Sequence, residues 1–438
     1  MLDIRLIRED LDKVKKALAT RGVEPGVLDE LWNIDHEART VSTQRDKLRA
    51  EINSISKEVA KLMRAGNSES AKALREKSRS IGEELSTLEP LAGELDARRH
   101  DALLKIPNIP SEDAPIGVSE ADNVVIRWWS LQKGMQNGSD IELPDYADYQ
   151  KKPHWEIGSE LKILDLERAA KISGSMFAMF RGLGATLERA LTFMALDAHS
   201  DAFEEIRPPT LVRSATMVST GHLPKFEEDA YHLERDDLYA IPTAEVPLTS
   251  LAKDEILPED DLPVRLTAFT SCFRREAGSA GRDTRGLLRL HEFDKVEILA
   301  YTTPDQAADM HEELLRRAEG LLQQLGLTYR VLDLCTADLG NSSKRTFDLE
   351  AYSPGTGLWL EVSSVSWFGD YQARRANIRF RNTDSGQIEY VHTLNGSALA
   401  WARIWAVLVE TYRQIDGSVA IPEVLRPYMR NLEKIPSP

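Results

Sequence analysis

The 438-residue sequence predicts an α+β protein, with an N-terminal antiparallel coiled-coil hairpin followed by a domain built on an antiparallel sheet. Three observations predict it. Apolar residues fall on a heptad grid in two runs separated by turn chemistry. A stretch rich in Pro, Asp, Gly and Ser then breaks all periodicity. Beyond it, several β-rich runs follow one another without an intervening helix, as in an antiparallel rather than a doubly wound sheet.

Taken in order, residues 1 to about 20 read as one short amphipathic helix with Asp3 as its N-cap. Arg21-Gly22 and Pro25-Gly26 break the chain. The first heptad run carries Ile34, Ala38, Val41, Leu48, Ile52, Ile55, Val59 and Leu62, with charged Arg45 at the one exceptional seam position. Ala65-Gly66-Asn67-Ser68 supplies a turn, and the pattern returns through Leu74, Ile81, Leu85, Leu88, Ala92 and Leu95. The arm spans about 28–104 within a first domain of 1–105. At about 1.5 Å per residue, arms of about 35 residues run roughly 50 Å, which implies a projecting rod. Residues 106–152 read as a linker with little regular structure. A second domain, 153–438, alternates helical stretches (Ala185–Ala198, Asp305–Leu325) with strands. The strands expected include Arg265–Phe273, Lys295–Tyr301, Tyr329–Leu334, Thr346–Tyr352, Leu358–Ser364 and Ala376–Phe380.

Composition excludes several classes. No stretch of about 18 uncharged apolar residues exists to span a bilayer. The N-terminus lacks the basic-then-apolar layout of a secretory signal. Two cysteines, Cys272 and Cys335, cannot build a disulfide framework or a four-cysteine zinc site, so a protein of the reducing cytoplasm is expected. The net charge of −16 argues against a general nucleic-acid binder. The charge is unevenly spread, however: Arg45 to Arg79 holds ten Lys/Arg against five Asp/Glu, a local excess of +5. A coiled coil alone reads as a spacer or dimerisation rod. The basic excess near the turn is what a spacer does not require, and it suits an anionic polymer.

The densest cluster of chemistry runs from Cys272 to Gly286: Cys-Phe-Arg-Arg-Glu-Ala-Gly-Ser-Ala-Gly-Arg-Asp-Thr-Arg-Gly. Guanidinium forks bind phosphate oxygens bidentately and glycines admit close backbone approach, so this is a candidate phosphate grip. By itself it could equally be a solvated basic loop. Its surroundings are more specific. Phe273-Arg274-Arg275-Glu276 resembles the Phe-Arg-x-Glu signature of class II aminoacyl-tRNA synthetases. Thr220 to Phe226, Ile241 to Pro247, Ala277 to Gly286, His291 to Glu297, Asp348 to Glu350, Glu361 to Ser364, Tyr371 to Arg375, Thr393 to Ser397 and Arg403 resemble the seryl-tRNA synthetase version. The resemblance covers nearly the whole chain, arm included.

That resemblance implies residue roles. Arg274, Glu276 and Arg403 would be catalytic. Arg274 would hold the α-phosphate of ATP, Glu276 the adenine amino group, and Arg403 one adenine face and the γ-phosphate. Phe293 would stack on the other face, with Arg275, Leu290, Glu361, Val362, Ser363 and Ser364 completing the nucleotide site. Glu361 and Ser364 would hold Mg²⁺ through ATP. Thr243, Glu245, Glu297 and Ser397 would form the serine pocket, with Glu297 anchoring the hydroxyl. Lys57, Lys61, Arg64, Arg75 and Arg79 would grip the long variable arm of serine tRNA, and of selenocysteine tRNA where one exists. Pro208-Pro209 would mark a homodimer interface.

The chemistry suits these residue types. Attack of a carboxylate on the α-phosphorus needs positioning and charge neutralisation more than acid–base catalysis. A pocket acid bonded to the serine hydroxyl can reject alanine by about 10⁴, because alanine leaves it unpaired. The chain departs from the family pattern at Ser364-Val365-Ser366-Trp367, at Ala402, at His222 and at Met429-Arg430-Asn431. Trp367 is the departure best placed to alter a pocket wall. Other readings are an auxiliary copy for antibiotic self-resistance or biosynthesis, a carrier-protein ligase, and a non-enzymatic coiled-coil RNA binder. The arm opposes the carrier-protein reading, and Arg274, Glu276 and Arg403 oppose the non-enzymatic one.

Overall fold

The computed structural model describes residues 1–278 and 285–437, so Ser279 to Thr284 of the arginine- and glycine-rich run lie outside the described residues. The chain divides into two compact units, Leu2–Pro107 and Asn108–Pro438, with Met1 assigned to the second.

The first unit starts with two helices rather than one, α1 (Ile4–Glu9) and α2 (Leu11–Ala19). Asp3 caps α1 by accepting from the Arg5 N–H. Asp10 ends it: its extended backbone and its side-chain bond from the Lys13 N–H start α2. Helices α3 (Pro25–Arg64) and α4 (Ser68–Lys105) form the antiparallel hairpin. Between them, Gly66 takes φ +77° and Asn67 caps α4 through the Ser70 N–H. Ile34, Ala38, Ile55, Ile81, Ala92 and Leu95 are buried, and the remaining heptad residues are half-buried between exposed neighbours. Cross-ties flank the seam: Arg49–Glu89 at 2.6 Å, Lys77–Glu51 at 2.7 Å and Gln44 to Glu84 at 3.0 Å. At the hairpin base, buried Asp35 accepts both ends of the Arg8 fork at 2.8 and 2.7 Å.

In the second unit nine strands form one sheet among the described residues. They are β1 (Val124–Ser130), β2 (Gly134–Asn137), β3 (Glu204–Glu205), β4 (Val264–Phe273), β5 (Glu292–Thr302), β6 (Tyr329–Asp333), β7 (Arg345–Ser353), β8 (Leu358–Gly369) and β9 (His392–Ala400). Their order is β2-β1-β6-β7-β8-β9-β5-β4-β3, antiparallel except for the β3–β4 pair. The expected linker therefore contains two strands of this sheet, with Trp128 of β1 fully buried. Strand β9 was not among the expected strands, and Ala376 ends a helix rather than starting a strand. Helices α5 (His154–Glu160), α6 (Leu183–His199), α7 (Glu245–Thr249), α8 (Ala307–Gln324), α9 (Tyr371–Ala376) and α10 (Trp401–Thr411) accompany the sheet. The apolar faces of α6, α8 and α10 share one core with it. No helix among the described residues is long and apolar enough to cross a membrane.

Candidate active site

A cavity of about 330 Å³ opens over the middle strands, lined by residues of β5, β8 and β9, by Arg274 just after β4, by the start of α10, and by the 287–290 segment. Register places the groups. Along β5, Phe293 and Lys295 share one face by the two-residue period and both line the cavity. On β8 the cavity takes Glu361 to Ser364, then Ser366 and Phe368. Ser397 of β9 pairs in register with Glu297 of β5.

One end of the cavity is cationic. Arg274 follows β4, its guanidinium 5.2 Å from the centre of the Phe293 ring. Arg289 pairs with Glu276 at 2.5 Å, and Glu276 holds a left-handed backbone at φ +52°. Arg403, in the first turn of α10, donates Nε to the Leu288 carbonyl at 3.2 Å and Nη1 to the Glu361 carbonyl at 2.7 Å.

The other end is a cluster of small polar groups. Lys295 Nζ donates to Thr243 Oγ1 at 2.8 Å and Ser397 Oγ at 3.2 Å, and it ion-pairs with Glu297. Glu245 accepts from Gln372 Nε2 at 2.6 Å and Asn395 Nδ2 at 2.9 Å. Burial, reinforced by the nearby Glu297 charge, pushes the Glu245 carboxyl up to about 7. His222 lies at the edge, bonded to Thr220 Oγ1 at 2.8 Å. Burial, with Arg274 and Lys295 adding to it, pulls this imidazole down to about 3 and keeps it neutral at physiological pH.

Comparisons with known proteins identify the family. A model described as the seryl-tRNA synthetase N-terminal domain matches residues 1–110, and one for the class II core domain of tRNA synthetases (G, H, P, S and T) matches 225–412. The serine–tRNA ligase of Geobacillus kaustophilus is 46% identical over 99% of this chain and its own full length. The chain belongs to the seryl-tRNA synthetase family. Among solved structures, seryl-tRNA synthetase from Pyrococcus horikoshii complexed with ATP matches with a TM-score of 0.90 at 37% identity, covering both chains fully. Cytoplasmic serine–tRNA ligase from Naegleria fowleri in complex with AMP matches with a TM-score of 0.85 at 26% identity, covering 100% of this chain and 99% of its own.

Most residues singled out by the resemblance to seryl-tRNA synthetases meet in this cavity: Thr243, Glu245, Arg274, Glu276, Leu290, Phe293, Glu361, Val362, Ser363, Ser364, Ser397 and Arg403. Two do not line it. Arg275 points elsewhere, its guanidinium 6.0 Å from the centre of the Tyr231 ring. Glu297 is fully buried behind the wall, accepting from Thr243 Oγ1 at 2.7 Å, with its other oxygen, Oε1, unpartnered. The wall instead presents Lys295 and Asn395, and Gln372 stands behind Glu245. All three lie inside motif strings but were assigned no role. Trp367 does not reach the cavity. On β8 the neighbouring Ser366 and Phe368 do, while Trp367 packs beside His311 and His392 with Lys344 Nζ 4.7 Å from its ring centre.

Proposed function

We propose that this enzyme activates L-serine with ATP, forming seryl-adenylate and pyrophosphate, and then transfers serine to serine tRNA with release of AMP. The observation that carries the reading is the joining of two ends in one cavity. Arg274, Arg289 and Arg403 stand at one end, and Thr243, Glu245, Lys295, Asn395 and Ser397 at the other. A triphosphate fits the arginine end and a small zwitterion with a hydroxyl fits the polar end. The ATP complex of the Pyrococcus relative and the AMP complex of the Naegleria relative support the nucleotide assignment.

In this mechanism the serine carboxylate oxygen attacks the α-phosphorus and pyrophosphate leaves. Arg274 and Arg403 offset the charge spread over the phosphate oxygens, and their fixed geometry supplies orientation. In the second step a hydroxyl of the terminal tRNA ribose attacks the acyl carbon and AMP leaves. Glu245 and Asn395, with Gln372 bracing Glu245 from behind, present a hydrogen-bonding wall to the amino acid, so a side chain lacking a hydroxyl leaves polar groups unpaired.

Magnesium suits the residues present. Asp348 pairs in register with Ser364, and its buried Oδ1 has no hydrogen-bond partner. Burial and the Glu361 charge push the Asp348 carboxyl well above the usual carboxylate range, a sign of negative charge that lacks compensation. Glu361 and Ser364 would hold the cation, which would neutralise phosphate charge. Among the described residues no three His, Cys, Asp or Glu side chains converge on one point, so the phosphates would complete its shell.

The arm is proposed to bind serine tRNA. Lys57, Lys61, Arg64, Arg75 and Arg79 are all exposed; Arg79 lies 3.4 Å from Glu83. We further propose a cytoplasmic homodimer, on the Pro208-Pro209 resemblance. A carrier-protein ligase is disfavoured, since neither cysteine lines the cavity and the arm is present. Serine-dependent exchange of pyrophosphate into ATP, followed by charging of serine tRNA, tests the reading. Absence of exchange with serine above that with other amino acids overturns it.

A further inference from the structure

A buried relay outside the cavity ends on the segment that lines it. His154, the first residue of α5, is fully buried. Its Nε2 accepts from the Leu287 backbone N–H at 2.9 Å. A backbone amide can only donate, so the imidazole proton must sit on Nδ1. That nitrogen lies 2.8 Å from Glu410 Oε1, which also accepts the His154 backbone N–H at 2.9 Å. The second Glu410 oxygen accepts from Ser353 Oγ at 2.5 Å and the Gly355 N–H at 3.1 Å. The fully buried carboxylate thus meets four donors, and the tautomer of His154 is fixed from both sides.

The relay closes tightly on its target. A Cβ at Gly286 would lie 2.3 Å from His154 Nε2 and 2.6 Å from the Trp155 ring, and Gly286 holds φ +63°. The Arg285 guanidinium lies 5.2 Å from the Trp155 ring centre. Three consecutive residues, 285 to 287, are therefore held by the start of α5. From 287 to 290 the chain is cavity wall.

Arg403 and Glu410 stand seven residues apart on α10, about two turns, and so share one helix face. Arg403 takes the Leu288 carbonyl directly. Glu410 takes the Leu287 amide through His154. One helix therefore grips two consecutive residues of the cavity wall, Leu287 and Leu288, from two points.

We propose that His154, oriented by Glu410, is a positioning residue for nucleotide binding: it sets the 287–290 wall against which ATP seats, without touching substrate. This rests on the proposed serine-activating function. The test compares purified wild type with His154→Phe, which keeps ring volume but loses the acceptor, and His154→Gln, whose amide oxygen can still accept from Leu287. KM for ATP and for serine is read by pyrophosphate exchange, ATP binding by calorimetry, and stability by melting.

A buried amide left without its acceptor corresponds to about a tenfold effect or more. His154→Phe should weaken ATP binding and raise KM for ATP by about tenfold, with KM for serine within about twofold. His154→Gln should recover much of that loss. If His154→Phe fails to fold, Gly286→Ala, which drives a methyl toward Nε2, should reproduce the selective ATP defect. ATP affinity within about twofold of wild type in the folded variants overturns the proposal. So does a parallel loss for ATP and serine that His154→Gln does not relieve, since that is a scaffold role alone. Wild type without serine-dependent exchange would overturn the function itself. Failure of the proposal alone leaves wild-type exchange intact.

Discussion

Thr243 covers Glu297: the threonine hydroxyl donates to Glu297 Oε2 at 2.7 Å, and the carboxylate beneath it is fully buried beside Lys295. Glu297 itself does not line the cavity, but its partners Thr243 and Lys295 do. Glu297→Gln should leave the Lys295 ammonium without its ion partner in a buried site, an imbalance that commonly costs about 3–5 kcal/mol. Pyrophosphate exchange should show KM for serine raised by at least about tenfold, KM for ATP little changed, and a lowered melting temperature. Unchanged serine kinetics would remove Glu297 from amino-acid recognition.

Arg403, proposed above to offset phosphate charge, also holds the Leu288 carbonyl. Arg403→Ala should reduce adenylate formation by roughly 10²–10³ while circular dichroism stays native. Arg274→Ala should lose a similar amount and also uncover the Phe293 ring. Near-normal exchange in both variants would contradict the mechanism.

The arm should matter to charging and not to activation. Replacing Lys57, Lys61, Arg64 and Arg75 by Ala should raise KM for tRNA. It should also flatten the salt dependence by about 0.7–0.9 log–log units for each RNA phosphate no longer neutralised. Adding Arg79→Ala should contribute less, because Glu83 already offsets that charge. Serine-dependent exchange should hold at the wild-type level. A variant that charges tRNA normally at every salt concentration would make the arm a spacer.

Acid should destabilise the protein through buried imidazoles. Burial lowers His199, His311 and His392 to about 4 and His222 to about 3. Unfolded histidines take up protons near pH 6.5, while the folded ones resist. The stability each contributes is complete above pH 6.5 and is lost as pH falls toward 4. Neither ring nitrogen of His199 has a hydrogen-bond partner, so a phenylalanine there sacrifices no bond. A gap of 2.5 units corresponds to about 3 kcal/mol as an upper bound. His199→Phe should therefore shrink the drop in melting temperature between pH 7.5 and pH 5. An identical drop in both proteins would refute this role.

How much was legible depended on how local the signal was. The hairpin was readable because its seam repeats over two runs. Ile34 to Leu62 and Leu74 to Leu95 each need only their own helix and one partner. Most residues of the motif strings that were given a role also line one cavity. Strand β9 escaped because Asn395 and Gly396 sit at its centre, and both are poor strand formers chosen here for contact with Glu245 and for close packing on Val365. Strands β1 and β2 were masked by the turn-rich segments on either side. Glu297 illustrates a different limit. The resemblance put it in the pocket, but the cover supplied by Thr243 comes from 54 residues away and no local pattern announces it. The single N-terminal helix was wrong because Asp10 bonds its own backbone neighbourhood rather than continuing the turn.

The two helices of the hairpin, 40 and 38 residues long, meet through a heptad pattern that looks the same after every seven residues. Adding one heptad to both α3 and α4 would preserve every facing pair and lengthen the rod by about 10 Å. Adding it to one helix alone would set Arg49 against the wrong rung and break its tie to Glu89. The rod is thus a telescoping gauge with fixed notches. Its reach can be reset only in matched steps of about 10 Å, which offers a direct way to ask how far from the base an RNA contact must lie.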